Sequence, residues 1–256
     1  MAIKKDSVLG TMLFIICLSL VCSFMITGTA EVLKERKLVK QRDEVQRFVL
    51  RSAGIEVTDD FRETFAQRIK PKLLELDTGK LSDRDAILDF DERMAAINPD
   101  TSMQPEKDLA KIGRRANQVR IYQVFDENNQ LSTLVLPVYG KGLWSIIYGY
   151  VAVEMDLNTI KNITFYEHGE TPGIADFVTD SSWLSLWQGK QLFDDKGKLA
   201  IKVVKGGADA GDIHGVDGVS GATRTGVGIQ RAVHFWFGEE GYQTFFSQLA
   251  TTGGQS

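Results

Sequence analysis

Cysteine is nearly absent from this 256-residue chain: Cys17 and Cys22 are the whole complement, and both fall in one apolar N-terminal run. The remainder holds no thiol, which excludes a structural disulfide, a cysteine-based zinc site and a thiol nucleophile there. Histidine is scarce too. His168, His214 and His234 lie far apart, without the close pairing of a local metal motif, and read as surface or core histidines. Nor is there a basic excess, since 30 Lys and Arg against 34 Asp and Glu give a formal charge of -4. Without a positive field to attract phosphate backbones, nucleic-acid partners are not expected. A composition of 43% apolar and 25% charged residues excludes disordered and collagen-like architectures and suffices for one sizeable core.

Charge is missing altogether from Val8 to Thr27, VLGTMLFIICLSLVCSFMIT. As a helix this run extends roughly 30 Å, which matches the hydrocarbon core of a bilayer and predicts a transmembrane helix set in membrane lipid. The competing reading is a cleaved signal peptide, with Thr27-Gly28-Thr29-Ala30 weakly resembling a cleavage site. No carboxylate or basic side chain interrupts the span, so the helix is expected to anchor rather than conduct ions. Cys17 and Cys22 fall on different helix faces and read as packing residues. Lys4 and Lys5 precede the span while Lys34, Arg36, Lys37, Lys40 and Arg42 follow it, so a simple count places the large domain inside. That count is weak guidance, because long domains translocate largely regardless of charge.

Beyond the span, Glu31 to Ala53 lacks Pro and Gly and predicts a polar helical stalk ending at Gly54. Phe61, Phe65 and Ile69, at fourfold spacing within Asp59–Lys70, predict an amphipathic helix behind an Asp cap. From Asp77 to Gly113 the chain turns polar and reads as connecting structure with one short helix. The period then becomes that of strands. Ile121–Phe125 and Leu131–Val138 flank Asp126-Glu127-Asn128-Asn129 as a hairpin, with further strands at Ser145–Met155, Ile160–Glu167 and Leu199–Lys205. Helices are expected over Ile174–Gln188, over Arg224–Phe237 and in a last segment carrying Tyr242, Phe245, Phe246 and Leu249. Together these give an α+β class: a single N-terminal transmembrane helix, then a globular domain with a mainly antiparallel sheet and flanking helices. The expected division is an anchor over 1–30, a stalk and connecting region over 31–113, and a globular domain over 114–256.

Asp217-Gly218-Val219-Ser220-Gly221-Ala222-Thr223-Arg224-Thr225 leads straight into the helix beginning at Arg224. Gly221 permits a tight backbone, and Ser220 or Thr223 can cap the helix through its hydroxyl. Free amides at a helix start also attract an anion such as phosphate, and Arg224 offers a charge-assisted contact. On physics alone, an ordinary Ser/Thr-capped helix after a flexible glycine turn is the favoured reading of the segment. The string nonetheless resembles the flavinylation motif of the FMN-binding domains found in Na+-translocating NADH:quinone oxidoreductases and in the related Rnf complexes.

That resemblance implies FMN joined as a covalent phosphoester to the hydroxyl of Thr225 by a separate flavin transferase that takes it from FAD. Asp217, Ser220, Gly221, Ala222 and Thr223 match the rest of the motif and would shape the loop and seat the phosphate. Glu170-Thr171-Pro172-Gly173 resembles the element that lies beside the flavin ring in this family, with Thr171, Pro172 and Gly173 as contacts; by itself it reads as a plain turn. Gly140-Lys141-Gly142-Leu143-Trp144 resembles the family's glycine-rich strand entry, where Trp144 stacks on the flavin or is simply core. Lys205 and Gly206 are further candidates for approach to the cofactor. The resemblance covers the membrane helix, the stalk and about Leu131 to Leu249.

No Gly-x-Gly-x-x-Gly follows a strand here with an acidic partner downstream, so nicotinamide chemistry is expected elsewhere. The implied role is electron relay through FMN between redox centres on other subunits of the complex, with no self-sufficient activity. The resemblance and the logic of retaining a flavin outside the cytoplasm place the domain in the periplasm, anchored in the bacterial inner membrane. A membrane-anchored flavin-binding module in sensing or assembly, without turnover, is the alternative; a self-sufficient flavin reductase lacks a donor site. A variant lacking Met1–Thr27 is expected to be soluble, and sedimentation with membranes in the absence of partners would count against a single span.

Overall fold

A computed structural model of the protein describes residues 8–83 and 87–253, and the chain separates into two units, Met1–Val45 and Gln46–Ser256. The first helix, α1 (Val8–Ser52), runs unbroken from the apolar span into the expected polar stalk. The most apolar 18-residue window of its Val8–Lys34 stretch has a mean hydropathy of 2.5, and none of that window is buried. Among the described residues it is the one segment long and apolar enough to cross a membrane. The helix ends where glycine was expected to stop it. Gly54 adopts φ +73°, and the amides of Gly54 and Ile55 donate back to the carbonyls of Arg51 (3.0 Å) and Leu50 (2.9 Å). This is the left-handed cap that satisfies the last carbonyls of a helix.

The second unit runs through α2 (Phe61–Arg68), β1 (Ile69–Glu75), β2 (Leu81–Ser82), α3 (Glu92–Ile97), β3 (Ser102–Met103) and β4 (Arg115–Ala116). It continues through β5 (Gln118–Phe125), β6 (Leu131–Lys141), β7 (Ile146–Glu154), β8 (Ile160–Glu167), α4 (Ser181–Ser185), β9 (Lys202–Val204), β10 (Gly215–Asp217), α5 (Thr223–Phe237) and α6 (Gln243–Gly253). Six strands form one sheet in the order β2-β1-β5-β6-β7-β8, antiparallel at every pairing. This is the α+β architecture the strand periods suggested.

Three local expectations change. The fourfold spacing of Phe61, Phe65 and Ile69 implied one helix to Lys70, but Ile69 opens β1, whose seven residues pair in register with β5 from Ile69↔Val124 to Glu75↔Gln118. A full ladder outweighs local helical propensity. Asp60 stands at the N-cap of α2 without a side-chain cap bond, so the capping expected of an Asp is not made. Ile174–Gln188 is not one helix but a 3-10 turn over Asp176–Thr179 followed by α4. Asp180 restarts the chain there, its carboxylate accepting from the amides of Ser182 (2.7 Å) and Trp183 (3.4 Å).

The core sits between the sheet and α5. Ile229, Ala232, Val233, Trp236 and Phe237, the predicted apolar face, are all buried against a sheet face that includes Leu134, Leu136, Val138, Val151 and Ile163. β6 outruns its neighbour, since pairing with β5 stops at Val135 while the strand continues to Lys141. The overhang accommodates Pro137, which has no amide to donate. Side chains satisfy its carbonyls: Tyr242 Oη donates to Pro137 O (2.5 Å) and Trp236 Nε1 to Tyr139 O (2.8 Å). Helix α5 is thereby hydrogen-bonded to the strand that leads into the β6–β7 turn.

Close approach continues at Gly228, where a Cβ would stand 2.5 Å from Lys141 O and 2.9 Å from Gly142 Cα. Alanine gains about 1 kcal/mol over glycine in helix propensity, but overpacking against backbone costs about 1–3 kcal/mol, so the clash dominates. Gly228→Ala is therefore expected to lower the urea midpoint; an unchanged or raised midpoint would show that α5 does not seat on the β6–β7 turn.

Candidate functional site

Three successive amides in the β6–β7 turn converge on one carboxylate. The turn is closed by Gly142 N donating to Ser145 O (2.8 Å). Leu143 N donates to Glu170 Oε2 (2.9 Å), while Trp144 N (2.9 Å) and Ser145 N (3.0 Å) donate to Oε1, with Ser145 Oγ at 3.3 Å. Gly142 lies close on the carboxylate, since a Cβ there would stand 2.8 Å from Glu170 Oε1. Ser145 is itself held, its Oγ accepting from Gly169 N at 2.7 Å.

The remaining lone pair on Glu170 Oε2 accepts from Thr225 Oγ1 at 2.7 Å. Both residues are buried, Glu170 at 4% and Thr225 at 3% exposure. Burial by itself raises a carboxyl pKa. Here the Thr225 hydroxyl and then the amides of Ser145, Trp144 and Leu143 outweigh it and hold Glu170 down to about 2. Charge-assisted bonds of this kind are shorter and stronger than neutral ones. The site at neutral pH is therefore a buried carboxylate with one hydroxyl pointed at it.

Thr225 is the third residue of α5, and the chain enters that helix through Gly221 at φ +84°. Neither Ser220 nor Thr223 caps α5, contrary to expectation: the N-cap is Ala222, which offers no side-chain bond. Among the described residues, the amides of Thr223, Arg224 and Thr225 find no acceptor. Ala222 is buried at 5% exposure, whereas Ser220, Gly221, Thr223 and Arg224 are exposed. Asp217 closes β10, and its Oδ1 accepts from Ala208 N at 2.7 Å while its carbonyl accepts from Trp183 Nε1 at 2.8 Å. It thus shapes the loop before α5.

The Thr171-Pro172-Gly173 segment is the turn its chemistry indicated. Ile174 N donates to Thr171 O (3.2 Å), Gly173 lies at φ +79°, and Gly173 N donates to Asp176 Oδ1 (3.0 Å). The Thr171 hydroxyl engages nothing among the described residues. Trp144 is 65% exposed, so the core alternative for it does not hold. Lys205 is exposed just beyond β9, next to Val204, the partner of Asp217. The structure therefore joins Trp144, the 170–173 turn and Thr225 through Glu170, and joins Asp217 and Lys205 across the β9–β10 pair. In the sequence Glu170 stood only as the first residue of the Glu170-Thr171-Pro172-Gly173 element, with no role of its own. Its partners lie 25 to 55 positions away, a separation no local pattern encodes.

A family model described as an FMN-binding domain matches residues 142–238. The chain is 43% identical over 255 residues to the C subunit of the Na(+)-translocating NADH-quinone reductase of Vibrio anguillarum, covering 99% of each. It is 40% identical over 251 residues to the corresponding subunit from Yersinia pestis, covering 96% of this chain and 94% of that one. Among solved structures, it resembles Shewanella oneidensis NqrC with a TM-score of 0.81 and 63% identity, over 83% of this chain and 99% of the other.

In the unmodified protein, Thr225→Val removes one donor to a buried carboxylate and is expected to cost about 1.5–3 kcal/mol. Folded Glu170 titrates near 2 and an unfolded glutamate near about 4.3. Its contribution is thus complete above that higher value and lost as pH falls toward the lower one. Urea melts between pH 5 and 2 are expected to show a shallower loss in Thr225→Val than in wild type; parallel curves would detach Thr225 from the carboxylate.

Proposed function

The chain belongs to the family of C subunits of Na(+)-translocating NADH-quinone reductases, and from this premise we propose that it is the flavoprotein subunit of such a complex, with FMN esterified through its phosphate to Thr225. The observation that carries the reading is the start of α5. It presents a hydroxyl on its third residue, an N-cap alanine that makes no side-chain bond and, among the described residues, three amides without acceptors. A phosphate seated there gains backbone N–H donors and the positive end of the helix dipole. Exposed Arg224 adds a cation beside it. The residues present therefore fit a phosphate-linked group.

Bound FMN supplies reversible uptake and release of electrons. The protein's own part is to hold and shield it. Asp217, Ser220, Gly221, Ala222 and Thr223 form the loop that a flavin transferase reads. Leu143, Trp144 and Ile174, apolar yet 36%, 65% and 56% exposed, lie on the two turns tied through Glu170 and offer an apolar surface to the ring. The free Thr171 hydroxyl and Lys205 would be the polar groups offered to its edges.

The assembled complex, with its other subunits, carries out NADH oxidation, quinone reduction and sodium transport, and this subunit passes electrons. The apolar helix anchors it in the inner membrane, and the globular unit lies in the periplasm. An extracytoplasmic domain has no free flavin pool, and an ester prevents loss of the cofactor.

Intact mass of protein made in a host that supplies the flavin transferase is expected to show one FMN addition, mapped by fragmentation to Thr225 and absent in Thr225→Ala. An unmodified wild-type chain would point instead to a binding module without turnover, and a labelled Thr225→Ala would place the linkage elsewhere.

A further inference from the structure

The attachment reading leaves Glu170 without a task, although it touches the very oxygen that becomes the ester. We propose that Glu170 is the proton acceptor for Thr225 during phosphoryl transfer, so that the acceptor protein brings its own general base; this rests on Thr225 being the attachment residue. Thr225 Oγ1 donates to Glu170 Oε2 at 2.7 Å, with both residues buried. The carboxylate cannot turn away, because the Leu143, Trp144 and Ser145 amides fix both of its oxygens. With its hydrogen committed to Oε2, the hydroxyl keeps its lone pairs for an incoming phosphorus.

The step balances without redox change. The Oγ1–P bond forms as the P–O bond between the two phosphates of flavin adenine dinucleotide breaks. The bonding pair leaves with AMP, and the Oγ1 proton passes to Glu170 Oε2 and then to solvent. In kinases, too, a carboxylate orients a hydroxyl and accepts its proton as the oxygen attacks phosphorus. A weakly basic carboxylate is adequate for that role.

Two neighbouring side chains are engaged elsewhere. Lys141 Nζ donates to Trp144 O (2.6 Å), and His168 Nδ1 accepts from the Glu170 amide (3.4 Å). Neither competes for the Thr225 proton. Once the ester forms, Thr225 has no hydrogen to donate and carries a phosphodiester anion, so Glu170 loses a donor and gains a like charge. Both changes favour its protonated form.

The test uses the full-length chain in detergent with purified flavin transferase and flavin adenine dinucleotide, following FMN addition by intact mass. Glu170→Gln keeps an oxygen for the Trp144 and Ser145 amides but faces Thr225, and with it the Leu143 amide, with an NH2 donor. It is expected to slow addition by about 10²-fold or more while retaining a cooperative melt. Equal rates in a folded Glu170→Gln would overturn the proposal and leave the attachment reading intact. A wild-type chain that takes no FMN at Thr225 would remove the attachment reading itself. Should Glu170→Gln fail to fold, carboxyl carbon-13 titration of wild type decides. The Glu170 midpoint is expected to rise by about one unit or more on attachment, and an unmoved midpoint would mean that the carboxylate does not contact the ester oxygen.

Discussion

One ionised side chain ties the site together. Glu170 accepts from the β6–β7 turn on one side and from the first turn of α5 on the other. Those segments come from distant parts of the chain and share no continuous backbone ladder at this point. A buried carboxylate without donors would be neutral or unstable. With these donors it is ionised, and each donor is held by the need to keep it so. The consequence is mutual: α5 orients the turn, and the turn orients the hydroxyl on α5.

The rest of the fold serves this contact by placing α5 accurately. Trp236 and Tyr242 bond to carbonyls on the overhang of β6, which locks the C-terminal half of α5 and the chain after it to the strand. Gly228 lets the N-terminal half approach Lys141 and Gly142 closely. Gly226, with Val203 Cγ1 at 3.1 Å from a Cβ built there, does the same toward β9. Small residues on one side of the helix and large aromatic ones further along thus set both its distance and its register.

Much of this was legible from the chain alone, and the limits have physical causes. The apolar face of α5, the hairpin of β5 and β6, and the helix stop at Gly54 all follow from local periodicity and turn chemistry, and the structure has them. β1 was missed because Phe61, Phe65 and Ile69 keep a helical spacing across a point where pairing with β5 takes over. The break at Asp180 was missed because one Asp can end a helical pattern by capping a new one. Within the candidate site, the loop from Asp217 to Thr225 was identified by its motif, whereas Glu170 was not. A turn residue whose donors lie 25 and 55 positions away becomes visible only when the sheet and α5 are assembled.

A structural explanation of Glu170 covers part of the geometry but not all of it. Three amides projecting from a tight turn need acceptors, and a carboxylate supplies them. Stability alone is poorly served by a buried charge, since apolar replacements of buried ionic groups are often neutral or favourable. A turn closed by an ordinary backbone pattern would need no carboxylate at all. What the carboxylate adds is a strong acceptor directed at a single hydroxyl, on the third residue of a helix whose first amides find no acceptor among the described residues. An aliphatic side chain at 225 would pack as well and leave Glu170 its backbone donors. The hydroxyl is therefore the feature that packing does not demand, and its pairing with an anion fits the chemistry of an oxygen that must give up its proton.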